Sequence, residues 1–329
     1  MTHLDPVWRI APELAAQQPE AAHLLDVTNR HAWSAVDPHL LELMRLRIAA
    51  LIGNPAGLQR RSDAARAVGL TEAKIAQLSH YPSSPAFSDV EKLCLSFTEQ
   101  FVIDVSSLTP DHRAQLQTHF SAEQLSEFVM ALYVTECTQR LEVAAPMLLV
   151  ASPAPSASPV NETPSAGLAQ AMDGYQAAVV RGTALDPKTT EIVRLRCART
   201  HNCRFCKTLR LENAIAAGVD DAMTAKIDFY DSSDLDERSK IALRVTDAFI
   251  TRPDALTETV IHQARAAFTP SQLAELLLDI TKWSTQKYHV AMGLDAADSL
   301  PKNERGLSYF SFDSGGQVAG FAAVPGAAG

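Results

Sequence analysis

Apolar residues recur at three- and four-residue spacing along most of the chain. That period places them on one face of an α-helix. After Asp186 and Pro187 come Ile192, Leu195 and Ala198 in this rhythm. Asp186 at the N-cap and Pro187 at the first helical position set a start, and Asp37–Pro38 repeats the signal. The stretches DERSKIALRVTDAFIT and TPSQLAELLLDITKWSTQKYHVAMG predict two further helices, the second capped by Thr269 or Ser271. Before residue 300 nothing alternates like a strand, so the pattern predicts an all-α fold. Beyond it, LSYFSF, DSGG and QVAGF read as one hairpin, with a loose Gly/Ala end.

The pattern repeats. AVDPHLLELMRLRIA (35–49) and ALDPKTTEIVRLRCA (184–198) share eight of fifteen residues at an offset of 149. Gly69 falls on Gly218 at that offset. At 148, Thr98 falls on Thr246, Phe101 on Phe249, Phe120 on Phe268, and Glu127 on Glu275. Such persistence predicts a tandem duplication. Between the copies ASPAPSASPVNETPSAG (151–167) reads as a Pro/Ser/Ala linker. The expected organisation is a first domain over 1–150, the linker, a second domain over 168–300, and a tail over 301–329 without a counterpart in the first copy.

Composition narrows the function. Of 329 residues, 47% are hydrophobic, and the net charge is −9. An acidic chain without a basic block argues against nucleic acid and against an anionic membrane surface. The start carries no cationic segment followed by an apolar core, and no run approaches the ~18 apolar residues of a membrane span. The expectation is a soluble cytoplasmic protein. Five cysteines are too few, and odd in number, for a secreted disulfide framework. Cys94 and Cys137 sit in helical patterns and read as small buried side chains.

Cys203 and Cys206, in THNCRFCKTLR, are the chemical candidates. At offset 149 they fall on Asn54 and Gly57 of GNPAGLQRRSDAARAVG, which reads as a helix from an Asn54 N-cap to Gly69. By that register Cys203 is an N-cap and Cys206 is N3. Unsatisfied N–H groups at a helix start favour a thiolate. Lys207 and Arg210 each lie four residues beyond a cysteine, which expects a cation one turn on. A thiolate with a thiol beside it suits redox chemistry. A zinc site needs four ligands, and His201 supplies only a third. Inert packing is the remaining reading, disfavoured because N-cap and N3 positions are usually semi-exposed.

Glu191, eleven residues, Cys203-x-x-Cys206, then Gly218 resembles the alkylhydroperoxidase AhpD-like branch of the carboxymuconolactone decarboxylase family. The resemblance implies two tandem helical-bundle domains forming a pseudo-dimer, with the cysteine pair only in the second. It implies a thiol-dependent peroxidase or disulfide oxidoreductase with no bound cofactor. Its partners would be a small hydroperoxide and a dithiol or lipoyl-protein reductant, and homo-oligomers would be expected. Cys206 would be peroxidatic, Cys203 would resolve it and meet the reductant, and Glu191 would support proton transfer through a histidine. That histidine is replaced here by Arg210, which cannot shuttle a proton. Arg210 can stabilise a thiolate, bind a carboxylate, or pair structurally with Glu191, as Arg61 would with Glu42. His201 is the nearest replacement, with a surface histidine at a helix end as the alternative. RLR, at 45–47 and 194–196, reads as scaffold. The other readings are a decarboxylase-like enzyme and a non-catalytic family member.

Overall fold

The computed structural model describes residues 7–149, 166–296 and 300–323. Nearly all of the 151–167 linker, and the Gly/Ala end from residue 324, lie outside the described residues. The first half is built on α1 (Pro19–Ala35), α2 (Pro38–Ile52), the short α3 (Pro55–Gln59), α4 (Asp89–Asp104) and the long α5 (Ala122–Leu148). The second half is built on α6 (Leu168–Val180), α7 (Pro187–Thr200), the short α8 (Arg204–Thr208), α9 (Glu237–Thr251), α10 (Pro270–Trp283) and α11 (Gln286–Met292). Strands β1 (Leu209–Leu211), β2 (Ser308–Phe312) and β3 (Val318–Ala323) form one small sheet in that order. The fold is mostly all-α. No described helix is long and apolar enough to cross a membrane.

The helix starts follow local chemistry. Asp37 accepts from the Leu40 amide at 3.0 Å and Asp186 from that of Thr189 at 2.9 Å, each with proline at the first helical position. Thr269, not Ser271, caps α10, and Gln272 reaches back to the Thr269 amide. Ser121 and Gln124 do the same for α5. These reciprocal bonds satisfy two otherwise orphaned donors.

The hydrophobic interior crosses the two halves. One cluster packs Leu141 and Leu148 of α5 against Leu195, Leu243 and Leu277. The other packs Phe97 and Phe128 against Met172, Cys203 and Val290. Thr28 of α1 also donates to the Ala171 carbonyl of α6 at 3.2 Å.

Three departures from the sequence pattern have one kind of cause, a partner distant in sequence. The helix expected from Asn54 to Gly69 stops after Gln59, and its counterpart stops after Thr208. The buried Arg45 guanidinium takes the Gly57 and Arg60 carbonyls, and Arg194 takes those of Cys206 and Leu209. A carbonyl turned to a guanidinium is lost to the helical ladder. A strand does occur before residue 300. β1 pairs in parallel with β2, Leu209 opposite Ser308, and all three of its residues are buried, so no alternation marks it. The helix expected over 269–293 breaks at Ser284 and Thr285. There the Thr281 carbonyl accepts from the Tyr133 hydroxyl, and the Thr285 amide turns to Lys282 in a tighter turn.

The tail forms a hairpin, with Phe310 opposite Phe321. Its tip is seated on α6, where Arg181 donates to the Gly315 carbonyl at 2.7 Å. Gly316, at φ +82°, lies so close that a Cβ would fall 2.4 Å from the Ala177 carbonyl oxygen. Only glycine fits that turn.

Candidate functional site

The site begins where α7 ends. Asn202 takes the left-handed conformation, φ 52°, and the Cys203 amide returns to the Ala198 carbonyl at 3.0 Å. Gly53 and Asn54 make the matching reversal after α2. The chain then enters α8 with Cys203 at the N-cap and Cys206 at the third helical position. The Cys206 amide donates to the Cys203 sulfur at 3.3 Å. In the first half the Gly57 amide donates to Asn54 Oδ1 at 2.8 Å, so asparagine replaces the sulfur as the cap.

Cys203 and Cys206 are joined as a disulfide, their Cα atoms 5.3 Å apart. Both are buried rather than semi-exposed: Cys203 has no exposed surface and Cys206 retains 5%. Asp295 occupies the other two donors of the α8 start. Its carboxylate accepts from the Arg204 amide and its carbonyl from the Phe205 amide, both at 3.0 Å. The amide left for sulfur therefore serves Cys203, and the surroundings of Cys206 are set by the cavity it borders.

Glu191 is held differently from the sequence expectation. Its carboxylate takes a two-pronged bond from Arg194, at 2.6 and 2.7 Å, not from Arg210. Both partners are fully buried. Glu42 and Arg45 repeat the pair, while Arg61 turns to Glu72. The reason is reach: Glu191 and Arg194 are one helical turn apart on α7, whereas Arg210 lies on β1, off the face of α8. The Arg210 guanidinium donates to the Lys207 and Leu209 carbonyls and bridges the end of α8. Lys207 does lie one turn beyond Cys203 on α8, as the spacing suggested, but its ammonium turns to Asn202 Oδ1. Arg210, by contrast, has left the helix for β1. Arg194 and Arg196 are each held by a carboxylate, Glu191 and Asp247.

His201 is buried, not at the surface. Its Nε2 lies 3.2 Å from the Ser284 hydroxyl. Burial, with Lys287 and Arg140 nearby, pushes it well below the usual imidazole range. It does not line the cavity at Cys206.

That cavity, ≈190 Å³, is bordered by Cys206, Phe205 and Arg194 on one side and by Lys282, Gln286 and His289 on another. The tail closes it with Phe310, Phe312, Val318 and Phe321. Aromatic contacts knit this roof to the walls: Phe205 meets Phe321, and Trp283 meets Phe310 and Phe312, each with centroids 6.3 Å apart. Two buried polar atoms among these residues have no partner, Trp283 Nε1 and Gln286 Oε1. Burial pushes His289 below its usual value, with Lys282 adding to the effect. Burial also brings Lys282 down from 10.5 to about 7.

Lys282, Gln286 and His289 were not singled out in the sequence, though a spacing of four and three puts them on one stripe of the helix predicted over 269–293, which the break at Ser284 and Thr285 divides between α10 and α11. At offset 148 they fall on Val134, Thr138 and Leu141. The stripe therefore belongs to the half that carries the cysteines.

Lys282 makes stability depend on pH. Its folded value lies below its unfolded one, so from about 7 to ~10.4 the unfolded chain holds the extra proton and stability rises with pH. Lys282→Met is expected to be more stable than wild type near neutrality and to lose part of that rise. Urea midpoints at about pH 6, 8 and 10 check this, and an unchanged slope contradicts it.

Among the described residues no group of three or more His, Cys, Asp or Glu side chains could hold a metal ion. Cys94, Cys137 and Cys197 are free and buried, and burial pushes the first two thiols up to about 12.

The model of the Carboxymuconolactone decarboxylase family matches residues 166–227, the segment holding Glu191 and both cysteines. Two uncharacterized Mycobacterium tuberculosis proteins, MT2376 (strain CDC 1551 / Oshkosh) and Rv2313c (strain ATCC 25618 / H37Rv), are each 34% identical over 270 residues. The match covers 81% of this chain and 92% of each relative. No solved structure matches significantly. With the cysteine segment inside the matched region and the relatives spanning most of the chain, the protein belongs to the carboxymuconolactone decarboxylase family.

Proposed function

We propose that the chain is a thiol-dependent peroxidase that reduces an organic hydroperoxide at Cys206 and is recycled by an external dithiol. The observation that carries this reading is the Cys203–Cys206 pair at disulfide spacing with Cys206 on the cavity wall. The Cys206 thiolate attacks the terminal oxygen of ROOH. The O–O bond breaks, RO⁻ takes a proton and leaves as ROH, and Cys206 becomes a sulfenic acid. Cys203 attacks that sulfur, and hydroxide leaves as water on taking a proton. The dithiol then exchanges with the disulfide and is itself oxidised to one. His289, on the cavity wall, takes and returns the proton in place of the histidine that Arg210 displaces. A reductant entering by the cavity meets Cys206, because Cys203 has no exposed surface.

In this reading the two halves descend from one duplicated unit. The buried Glu42–Arg45 and Glu191–Arg194 pairs, each holding carbonyls of the following short helix, support it. The first half, with Asn54 and Gly57 at the cysteine positions, is a silent partner that helps to build the core.

The test is to reduce the protein, add one equivalent of cumene hydroperoxide, and map thiols by mass spectrometry. The expected product is two hydrogens lighter, with the loss confined to Cys203 and Cys206 and the other three thiols intact. Consumption of the peroxide with both cysteines still reduced rejects the reading.

A further inference from the structure

Two lysines are buried in the second half, and they are treated differently. Lys287 meets both oxygens of Glu136, at 2.7 and 2.6 Å. Lys282 has no carboxylate at its Nζ. The ammonium lies 3.3 Å from the Trp283 ring centroid and 5.2 Å from that of Phe312. Asp279, one turn back, hydrogen-bonds Thr190 and makes no ion pair with it. Arg194 across the cavity is already neutralised by Glu191. The residue is only 8% exposed. A buried cation without a counter-ion is costly, and here it borders a cavity. Beside it the Trp283 indole N–H and the Gln286 amide oxygen lack partners, and both side chains are more than nine-tenths buried. Above it, the tail supplies Phe310, Phe312 and Phe321.

We propose that this cavity is an anchoring site for a carboxylate attached to an apolar body, with Lys282 as the counter-ion and the tail aromatics as the wall for the body. Resting on the peroxidase reading, it makes the substrate class a carboxylate-bearing aryl or alkyl hydroperoxide, held with its peroxide toward Cys206. A neutral hydroperoxide of the same shape would leave Lys282 uncompensated and bind more weakly.

The groups facing Lys282 set the pH behaviour. Asp279 on its own helix favours the ammonium, whereas burial and Arg194 of α7 oppose it. His289 of α11 is itself pushed down by burial and by Lys282. A bound carboxylate requires the ammonium, so affinity falls as the free lysine deprotonates above about 7, by up to about tenfold per pH unit.

Binding is measured without turnover, by calorimetry on the full chain carrying Cys206→Ser, with 3-phenylpropionate and its neutral amide as probes. The acid is expected to bind at least about tenfold more tightly than the amide. Lys282→Met should erase that preference, and Lys282→Arg should retain part of it. Only the acid should weaken above neutral pH. Equal binding of acid and amide, no binding of either, or a preference that survives Lys282→Met overturns the proposal. Because the assay needs no redox chemistry, its failure is distinct from a failure of the peroxidase reading. That reading stands or falls on peroxide-driven disulfide formation in the wild type.

Discussion

Cys206→Ser is expected to lower hydroperoxide turnover by roughly 10³-fold or more, because it removes the nucleophile itself. Cys203→Ser should behave differently. Without the second sulfur the sulfenic acid at Cys206 has no internal partner, so without added dithiol the variant should consume about one equivalent of peroxide and hold the sulfenic acid instead of closing a disulfide. A sulfenic-acid reagent such as dimedone would then label Cys206. The two variants together assign the roles. The cavity borders Cys206, whereas Cys203 is enclosed and accepts the Cys206 amide. Retained turnover in Cys206→Ser, with loss of peroxide consumption in Cys203→Ser, would reverse the assignment.

Arg194→Met should destabilise the fold by about 3–5 kcal/mol, the cost of leaving a buried carboxylate without its partner. Glu191 has no exposure, and Arg194 also holds the Cys206 and Leu209 carbonyls. The double variant Glu191→Gln/Arg194→Met should cost less than the two single changes summed, since the stranded charge is gone. Urea midpoints of the four proteins close the cycle. Additive effects would mean that the pair is not coupled as its geometry requires. In the double variant the freed carbonyls should also loosen α8, which slows disulfide closure even where the fold survives.

The local signals were legible because they are local. Asp–Pro at 37 and 186 and the cap offered by Thr269 act within four residues, and the structure places each as a helix start. The Cys203 cap was readable through its match to Asn54. What the pattern did not carry was set by partners far along the chain. Arg194 and Arg210 both had the charge to meet Glu191, and position on α7 against position on β1 decided between them. His201 looked exposed at a helix end, but Ser284, more than eighty residues away, covers it. Lys282 reads as an ordinary polar residue in a helical stretch until Phe312 of the tail is laid across it.

The parallel pairing of β1 with β2 has a consequence for how the molecule is made. Leu209 waits for Ser308, so the cysteine segment leaves the ribosome long before the strand that borders it. During that interval the helices that frame the cavity can form, but Phe310, Phe312 and Phe321 are still missing from its roof. A stretch synthesised much later than the cysteines completes the chamber. A chain cut short near residue 300 would therefore keep both sulfurs and their helix but lack the enclosure around them.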